Sequence, residues 1–418
     1  MYKFTLKNYR SFVDRTTIEL RPLTLLFGYN NSGKSALLRA LPFIADSLNG
    51  HSPTPLALDS PAIRGSHFSD LLSRITGTQE LDIELSLADS KIHCLKWTFS
   101  DVPQLRTHTI SSFSVLDSKG IEQMFAGKFN FELAMDNMLK RDYDVQEKGN
   151  NITYNILKFK GLLPTFVNSP EPKLAHLETI IKQCQQLKGI STRVQWLSSV
   201  RDSPLRYNQF QGAAPKHLEP NGGGAADILA FDQNLILPKV SRWYEDNLQQ
   251  KIVIEKHSDI FQIKLQPLDS VFRINIVDAG EGLIQALPVL VAGAKASQNE
   301  IDFLAIEEPE SHLHPRHHAA LAAHFCELAR QDNPPKLLLE THSENFLLRV
   351  QLEIAQRKLE PELVIVYWVR QLDDERSIAE PITFNKLGQP EDHNWPRGVF
   401  SENLEQKREI LEAQRRYS

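Results

Sequence analysis

A phosphate-binding pattern lies near the start of the chain, in the run Gly28-Tyr29-Asn30-Asn31-Ser32-Gly33-Lys34-Ser35. It fits the spacing G-x-x-x-x-G-K-[ST], in which backbone N–H groups surround the phosphate oxygens of a nucleotide. Lys34 is expected to contact the β- and γ-phosphates, and the Ser35 hydroxyl is expected to bind Mg²⁺. A surface turn rich in Gly, Ser and Asn is the alternative, but the complete pattern favours a nucleotide site.

Hydrolysis of a nucleotide requires one group near the Mg²⁺ and another that orients the attacking water. The run Ala305-Ile306-Glu307-Glu308-Pro309-Glu310 supplies paired carboxylates at the end of an apolar stretch. Side chains alternate along a strand, so Glu307 and Glu308 point in different directions, which suits two roles. We assign Glu307 to Mg²⁺ and Glu308 to the water. A solvated acidic turn is the alternative, and Glu310 is expected to be partly of that kind.

A histidine follows another apolar stretch, in Leu339-Glu340-Thr341-His342-Ser343. At the tip of a buried strand, His342 can contact the γ-phosphate or the catalytic water. A single histidine is more often structural, but the two motifs upstream favour a catalytic role for this one.

Two glycines precede an apolar helix in Asp278-Ala279-Gly280-Glu281-Gly282-Leu283-Ile284-Gln285. This makes a second anion-binding helix N-terminus. A chain with one phosphate loop does not need a second such site for its own nucleotide, whereas a second copy of the chain could use it.

Hydrophobic patterns place these motifs at the ends of predicted strands. Residues 23–27, 301–306 and 336–339 predict buried strands, and helical patterns follow at 36–41 and 317–330. Apolar strands that end in polar motifs, with helices between them, imply an α/β sheet whose strand tips carry the chemistry.

Other segments predict the surrounding elements. Alternation at residues 2–7 and 81–87 indicates half-buried strands, and 92–99 is expected to pair with the second of them. The remaining predictions are helices at Phe129–Lys140 and Leu174–Trp196, a helix from Ile284 with Pro288 near its first turn, an antiparallel pair formed by Val364–Trp368 and Ile378–Phe384, and a closing helix at Glu402–Gln414.

Composition sets the broad class. The chain has 418 residues with a hydrophobic fraction of 41% and a net charge of −5, which is typical of a globular protein without strong overall attraction to nucleic acid. No run is long enough to cross a bilayer, and the alternating N-terminus lacks the apolar core of a signal peptide. The three cysteines are far apart, so we expect no disulfide framework, no membrane association and a cytoplasmic location.

Taken together and in this order, the four motifs resemble the ATP-binding-cassette type heads of the SMC/RecF/OLD group, and in particular its small stand-alone bacterial ATPases. The resemblance also covers Phe4-Thr5-Leu6-Lys7-Asn8-Tyr9-Arg10-Ser11-Phe12, the segment Ser311–Pro315 and the tail Trp395–Phe400. It extends over about 1–100 and 230–405, and no motif covers 100–200.

The resemblance implies an ATP- and Mg²⁺-dependent homodimer. The nucleotide would contact Gly28, Asn30, Asn31, Ser32, Gly33, Lys34 and Ser35, with Arg10 and Phe12 near the adenine or ribose. The trans signature of the second subunit would be Gly280, Glu281, Gly282 and Gln285, and His342 would be the switch histidine. Ile284 departs from the pattern, because a serine usually stands there and its hydroxyl reaches the γ-phosphate. Slow turnover is a consequence to be expected.

The implied fold class is α/β, with a mixed central β-sheet flanked by helices, an antiparallel N-terminal β-lobe and a helical insert lobe. We divide the chain into 1–100, the N-terminal half of the ATPase head; 101–230, a helical or mixed insert; and 231–418, the C-terminal half of the head.

Three functions remain open. The first is an ATPase switch that controls a separate effector, a nuclease or toxin, in bacterial phage defence. The second is an ATP-sensing scaffold that hydrolyses weakly and sequesters the effector. The third is a DNA-repair type ATPase, which the acidic balance and the absence of coiled-coil arms disfavour. Assemblies above the dimer and DNA binding also stay open.

Two sharper interpretations are disfavoured. His312, His314, His317 and His318 cluster, but no cysteine or acid completes a zinc ligand set. The stretch after His342 is too short for a Toprim nuclease, so Asp373-Asp374 is expected to be a hairpin turn.

Overall fold

The structure of the chain is a computed structural model that describes residues 2–87, 92–103, 107–129, 143–147, 153–166 and 175–391. Its strands are β1 (Tyr2–Lys7), β2 (Thr16–Leu20), β3 (Leu23–Phe27), β4 (Glu80–Ser86), β5 (Cys94–Val102), β6 (Thr107–Leu116), β7 (Glu122–Phe129), β8 (Tyr143–Glu147), β9 (Thr153–Lys160), β10 (Leu163–Phe166), β11 (Val194–Leu197), β12 (Asn208–Gln209), β13 (Gln250–His257), β14 (Ile260–Pro267), β15 (Ile274–Asn275), β16 (Phe303–Glu307), β17 (Lys336–Thr341), β18 (Val364–Gln371) and β19 (Ser377–Ile382). Its α-helices are α1 (Lys34–Asn49), α2 (Phe68–Leu71), α3 (Ala175–Gln186), α4 (Lys188–Ser191), α5 (Ala225–Phe231), α6 (Ile236–Leu248), α7 (Glu281–Ala296), α8 (Pro315–Ala329) and α9 (Glu344–Ala355).

A six-stranded sheet in the order β11-β16-β17-β3-β18-β19 carries the predicted motifs. Its first five strands run parallel, and β19 pairs antiparallel with β18. Strands β3 and β16 are buried along their whole length, as expected of parallel strands that are covered on both faces. The carboxyl ends of β3, β16 and β17 share one edge of the sheet, so the three loops that follow them meet there.

Two hydrophobic cores cover opposite faces of this central sheet. One contains Leu26 and Ala305 and extends through α1 into the N-terminal lobe. The other contains Leu25 and Ile306 and joins the sheet to α7, α8 and α9. Neighbours such as Leu25 and Leu26 belong to different cores because side chains alternate along a strand.

The N-terminal lobe is an antiparallel sheet of nine described strands, in the order β10-β9-β8-β7-β6-β5-β4-β1-β2. The predicted strands at 2–7 and 81–87 are confirmed as β1 and β4, and 92–99 pairs as expected through β5. A smaller sheet of β12, β14 and β13, with β15 beside β14, lies against α6 and α7. The mixed α/β class with an antiparallel N-terminal lobe is thus confirmed.

The insert differs from the expected helical lobe. Strands β6 to β10 extend the antiparallel sheet, and α3 and α4 are the helices between Ala175 and Ser191. The predicted helix Leu174–Trp196 is wrong at its end, because Val194–Leu197 forms β11 of the central sheet. Of the predicted helix Phe129–Lys140, only Phe129 is described, at the end of β7.

Elements near the C-terminus follow the prediction more closely. The antiparallel pair is confirmed by β18 and β19. Pro288 lies inside α7 rather than near its first turn, since the helix begins at Glu281. The tail Trp395–Phe400 and the closing helix Glu402–Gln414 lie outside the described residues. Within the described part of the chain, no helix is long and apolar enough to cross a bilayer.

Candidate nucleotide-binding site

The loop from Gly28 to Ser35 joins β3 to α1 at the carboxyl edge of the central sheet. Both of its glycines are required by close packing. A Cβ on Gly28 would lie 2.0 Å from the Val369 carbonyl oxygen, and one on Gly33 would lie 2.8 Å from the Phe12 ring. Helix α1 begins at Lys34, so its N-terminus faces the loop. The free N–H groups there favour an anion.

Two polar side chains of this loop point inward. The Lys34 ammonium donates to the Tyr29 carbonyl oxygen at 2.6 Å, and burial lowers the pKa of Lys34 while Glu340 raises it. The Ser32 hydroxyl is buried and has no hydrogen-bond partner among the described residues. A phosphate in the loop would supply acceptors for both groups.

Glu307 is paired with a cation of its own subunit. Its two carboxylate oxygens accept hydrogen bonds from the Arg39 guanidinium at 2.5 and 2.6 Å, and the Trp196 indole N–H donates at 3.2 Å. Glu307 is only 1% exposed, so water does not compete for these partners. Arg39 and Trp196 thus already use the oxygens of Glu307, and Glu307 is not among the residues whose ligand atoms converge within 4.8 Å beside the phosphate loop.

Glu340, which the sequence analysis did not select, lies closest to the predicted metal position. It is the register partner of Glu307 on the neighbouring strand β17, one strand nearer to the phosphate loop. The Ser35 hydroxyl donates to its Oε1 at 2.9 Å, and its Oε2 is buried without a partner among the described residues. Burial raises the pKa of Glu340 to about 7, against the effect of the Ser35 hydrogen bond.

The two predicted catalytic residues lie beside Glu340. One ligand atom from each of Glu308, Glu340 and His342 falls within 4.8 Å of the others. Burial lowers the pKa of His342 to about 4, so the imidazole is neutral at pH 7. The structure thus brings together the two predicted catalytic residues and the phosphate loop.

Glu310 is buried rather than solvated. Its Oε1 accepts from the Thr341 hydroxyl at 2.6 Å and from the His342 amide at 3.1 Å, and burial raises its pKa. These two hydrogen bonds join the loop after β16 to the loop after β17. Nearby, His318 contacts the Ser343 hydroxyl and the Leu313 carbonyl, which gives this histidine a structural role instead of a zinc-binding one.

Arg10 and Phe12 lie next to the phosphate loop but differ in their exposure to solvent. The Phe12 ring is fully buried beneath Gly33 and supports the loop from below. Arg10 is partly exposed and donates to the Ser66 hydroxyl at 3.3 Å. Of the two, only Arg10 has a surface that a nucleotide base or ribose can reach.

The predicted signature begins α7. Gly280 and Glu281 are exposed, and a Cβ on Gly280 would meet nothing within 4 Å. Gln285 is buried and donates to the Arg201 carbonyl and to the Glu281 carboxylate, so it acts within its own subunit. Ile284 is 3% exposed and lies in the hydrophobic core, so its side chain does not face a partner.

Arg201 connects this helix to the turn that carries Glu308, and no sequence motif marked it for this role. It is 4% exposed, and its guanidinium donates to the carbonyl oxygens of Glu307 and Glu308. Burial lowers its pKa to about 10, while nearby glutamates act in the opposite direction. No local pattern marks such a residue, because its partners are backbone atoms about a hundred positions away.

Comparison with known proteins agrees with the motifs. A family model described as AAA ATPase domain matches residues 1–347. No curated protein sequence matches the chain significantly.

Several solved structures are similar in fold. An SMC head bound to the C-terminal winged-helix domain of ScpA has 12% identity and a TM-score of 0.49, over 91% of this chain and 97% of that one. The SMC head domain from Thermotoga maritima has 11% identity and a TM-score of 0.44, over 91% and 97%. An SMC head with an extended coiled coil bound to the C-terminal domain of ScpA, derived from Pyrococcus furiosus, has 13% identity and a TM-score of 0.46, over 99% and 100%. Because the family match covers most of its length, the chain belongs to the AAA ATPase domain family.

Proposed function

We propose that this chain binds ATP at the Gly28–Ser35 loop and hydrolyses it. The observation that carries the proposal is the meeting of the phosphate loop with Glu308 and His342 at one edge of the central sheet. Neither of these two side chains has a hydrogen bond to another described residue, so both are available to a ligand.

Each group has a distinct task in this reaction. The backbone N–H groups of the loop and Lys34 hold the phosphates, and Lys34 exchanges the Tyr29 carbonyl for a phosphate oxygen. Glu308 orients the attacking water, and the neutral His342 donates a hydrogen bond to the γ-phosphate. Mg²⁺, when bound, neutralises charge on the phosphates. Ser35 and the unpartnered Oε2 of Glu340 fit it, whereas Glu307 does not.

We further propose that a second copy of the chain completes the site. The exposed Gly280 and Glu281 at the start of α7 leave open space for the nucleotide of a partner subunit. ATP would then close a homodimer and hydrolysis would open it. The separate nuclease or toxin controlled by this switch, and its role in phage defence, rest on the family resemblance.

A Glu308→Gln variant tests the proposal. We expect the wild type to release phosphate from ATP and the variant to lose at least about 100-fold in rate while it still binds ATP, because only the group that orients the water is removed. Phosphate release and binding of a fluorescent ATP analogue measure the two effects. The exposed Glu362→Gln serves as the matched control and should behave as the wild type.

Other outcomes identify the alternatives. Tight ATP binding by the wild type without detectable phosphate release would replace the ATPase by the sensing scaffold. Stimulation of turnover by DNA would favour the DNA-repair type of function. A wild type that binds no ATP would overturn the proposal as a whole.

A further inference from the structure

Two carboxylates and an imidazole converge beside the phosphate loop. The ligand atoms of Glu308, Glu340 and His342 lie within 4.8 Å of one another. Within the described part of the chain, the only hydrogen bond between a side chain of this trio and another side chain is the one from Ser35 to Glu340. The side chains of Glu308 and His342 and the Oε2 of Glu340 therefore keep ligand atoms that no described residue uses in a hydrogen bond.

Glu340 is the member for which this arrangement is most costly. It is 3% exposed, and its Oε2 has no partner among the described residues. A buried carboxylate without a compensating cation is strongly disfavoured. The charge of Lys34 attracts Glu340, but the Lys34 ammonium donates its hydrogen bond to the Tyr29 carbonyl. Arg39 is paired with Glu307, so neither cation makes a hydrogen bond to Oε2 of Glu340.

We propose that Glu308, Glu340 and His342, together with the Ser35 hydroxyl, bind one divalent cation before any nucleotide arrives, and that Mn²⁺ binds there more tightly than Mg²⁺. Three protein side chains with an imidazole among them suit a first-row transition ion. Mg²⁺ prefers oxygen ligands only and usually keeps several waters. The strand register explains why the site exists, since Glu340 occupies the position between Glu307 and the phosphate-loop strand.

The inference deepens the proposed ATPase, on which it rests for the use of the ion. When ATP enters the loop, Glu308 and His342 would release the ion and act on the water and the γ-phosphate, while Glu340 and Ser35 would keep the ion beside the γ-phosphate. Binding of the ion itself needs no nucleotide and is tested without one.

The test is a titration of the full-length, nucleotide-free chain with MnCl₂, followed by the loss of the electron paramagnetic resonance signal of free Mn²⁺. We expect the wild type to bind one Mn²⁺ per chain and a large excess of Mg²⁺ to be needed to displace it. Glu340→Gln and His342→Gln should each weaken Mn²⁺ binding at least about tenfold. The exposed Glu362→Gln should bind as the wild type does.

The outcomes separate this inference from the proposed function. Absence of stoichiometric Mn²⁺ binding in the wild type, or unchanged binding in both site variants, would overturn the inference. If ATP binds normally in that case, the ATP site stands without it. Mn²⁺ binding in a chain that binds no ATP would support the cation site and overturn the proposed ATP site. His342 is partly exposed, so its variant keeps the test valid if Glu340→Gln fails to fold.

Discussion

Glu308 adopts a backbone conformation that is uncommon for its residue type. Its φ is 40°, in the left-handed region, where a residue with a Cβ is disfavoured by roughly 1–2 kcal/mol. Two contacts hold it there, since its amide donates to the Glu340 carbonyl at 2.8 Å and its own carbonyl accepts from Arg201 at 3.0 Å. The position of Glu308, the proposed catalytic carboxylate, therefore depends on a buried arginine that has no described hydrogen bond to the Gly28–Ser35 loop.

We expect Arg201→Lys to lower the turnover of ATP more than its binding. A lysine keeps the charge but lacks the planar guanidinium, one nitrogen of which donates to both carbonyls, so the turn carrying Glu308 should loosen. Unfolding free energy should fall by about 1–3 kcal/mol. The measurements are denaturant unfolding, kcat and the Kd of a fluorescent ATP analogue.

Arg206→Lys is the matched control for this prediction. Arg206 is exposed on the same segment and is paired only with Asp278, so exchanging it should change neither stability nor turnover. Equal losses of ATP affinity and kcat in Arg201→Lys would contradict a positioning role.

His324 makes the stability of the protein sensitive to acid. Burial lowers its pKa to about 4, and the ammonium of Lys239 acts in the same direction. The ring lies among Lys239 and Arg242 of α6 and Glu327 of its own helix, and its Nε2 has no partner within the described residues. The folded chain therefore resists the proton that the unfolded chain accepts near the ordinary histidine pKa of about 6.5.

From this difference we expect stability to fall as the pH drops from about 6.5 to 4. In that range the unfolded state binds more protons than the folded state, so acid favours unfolding. His324→Gln should remove this contribution and, relative to the wild type, gain about 1–3 kcal/mol at pH 4. Denaturant unfolding at several pH values measures it, with the exposed His257→Gln as control. Parallel pH profiles for wild type and His324→Gln would refute the assignment.

The acids of the site show what a sequence can predict at the level of one residue. The spacing of the motifs was sufficient to find the phosphate loop, Glu308 and His342 as neighbours in space. It did not indicate that Glu340 lies beside Ser35 or that Arg39 pairs with Glu307, because both contacts depend on strand register and on residues distant in the sequence. A useful signal would have been two acids at equivalent ends of adjacent strands.

Secondary structure was predictable where periodicity was strong. Buried parallel strands such as β16 and β17 are short apolar runs with polar tips, and their positions were predicted to within about two residues. Strand β6, THTISSFSVL, was not predicted, because its serines and threonines give no clear alternation of polar and apolar residues. It belongs to the part of the chain that extends the antiparallel lobe. Strand β11 was missed because it continues the apolar spacing of the preceding helices.

The start of α7 packs closely against the loop that follows β16. A Cβ on Gly282 would lie 2.6 Å from the His312 carbonyl oxygen, which is backbone and cannot move aside easily. A Cβ on Gly280 meets nothing within 4 Å. Close packing therefore requires a glycine at position 282 of the predicted signature but not at position 280.

We expect Gly282→Ala to lower the free energy of unfolding by about 1–3 kcal/mol, because the added methyl group overpacks this contact. Gly280→Ala should leave stability within about 0.5 kcal/mol of the wild type. Urea unfolding of both variants decides the matter. Equal stability of the two would mean that the loop after β16 yields to the methyl group.

At the scale of the whole molecule, the family match confirms the ATPase type that the motifs predicted, while the domain boundaries at 100 and 230 stay predictions. The central sheet combines strands from all three segments, since β3, β11 and β16 to β19 pair with one another. The edge of the sheet that carries the proposed site is consequently assembled from distant parts of the chain. Gly280, at the N-terminus of α7, is exposed with open space around it, and its proposed task lies in a second subunit.

Subunit mixing tests whether that task lies in a second subunit. Lys34→Ala should abolish ATP binding at its own loop. Gly280→Trp should block the partner's nucleotide without disturbing its own fold, since the space around Gly280 is open. Each variant alone should release almost no phosphate.

A mixture of the two chains should recover activity if the site is shared. In a mixed dimer, the intact loop of the Gly280→Trp chain meets the intact signature of the Lys34→Ala chain, so one of the two composite sites is complete. With equal amounts and random pairing, about half of the dimers are mixed, and phosphate release should return to roughly a quarter of the wild-type rate if the sites act independently. If the Gly280→Trp chain is active by itself, or if mixing restores nothing while both chains stay folded, the signature does not act across subunits.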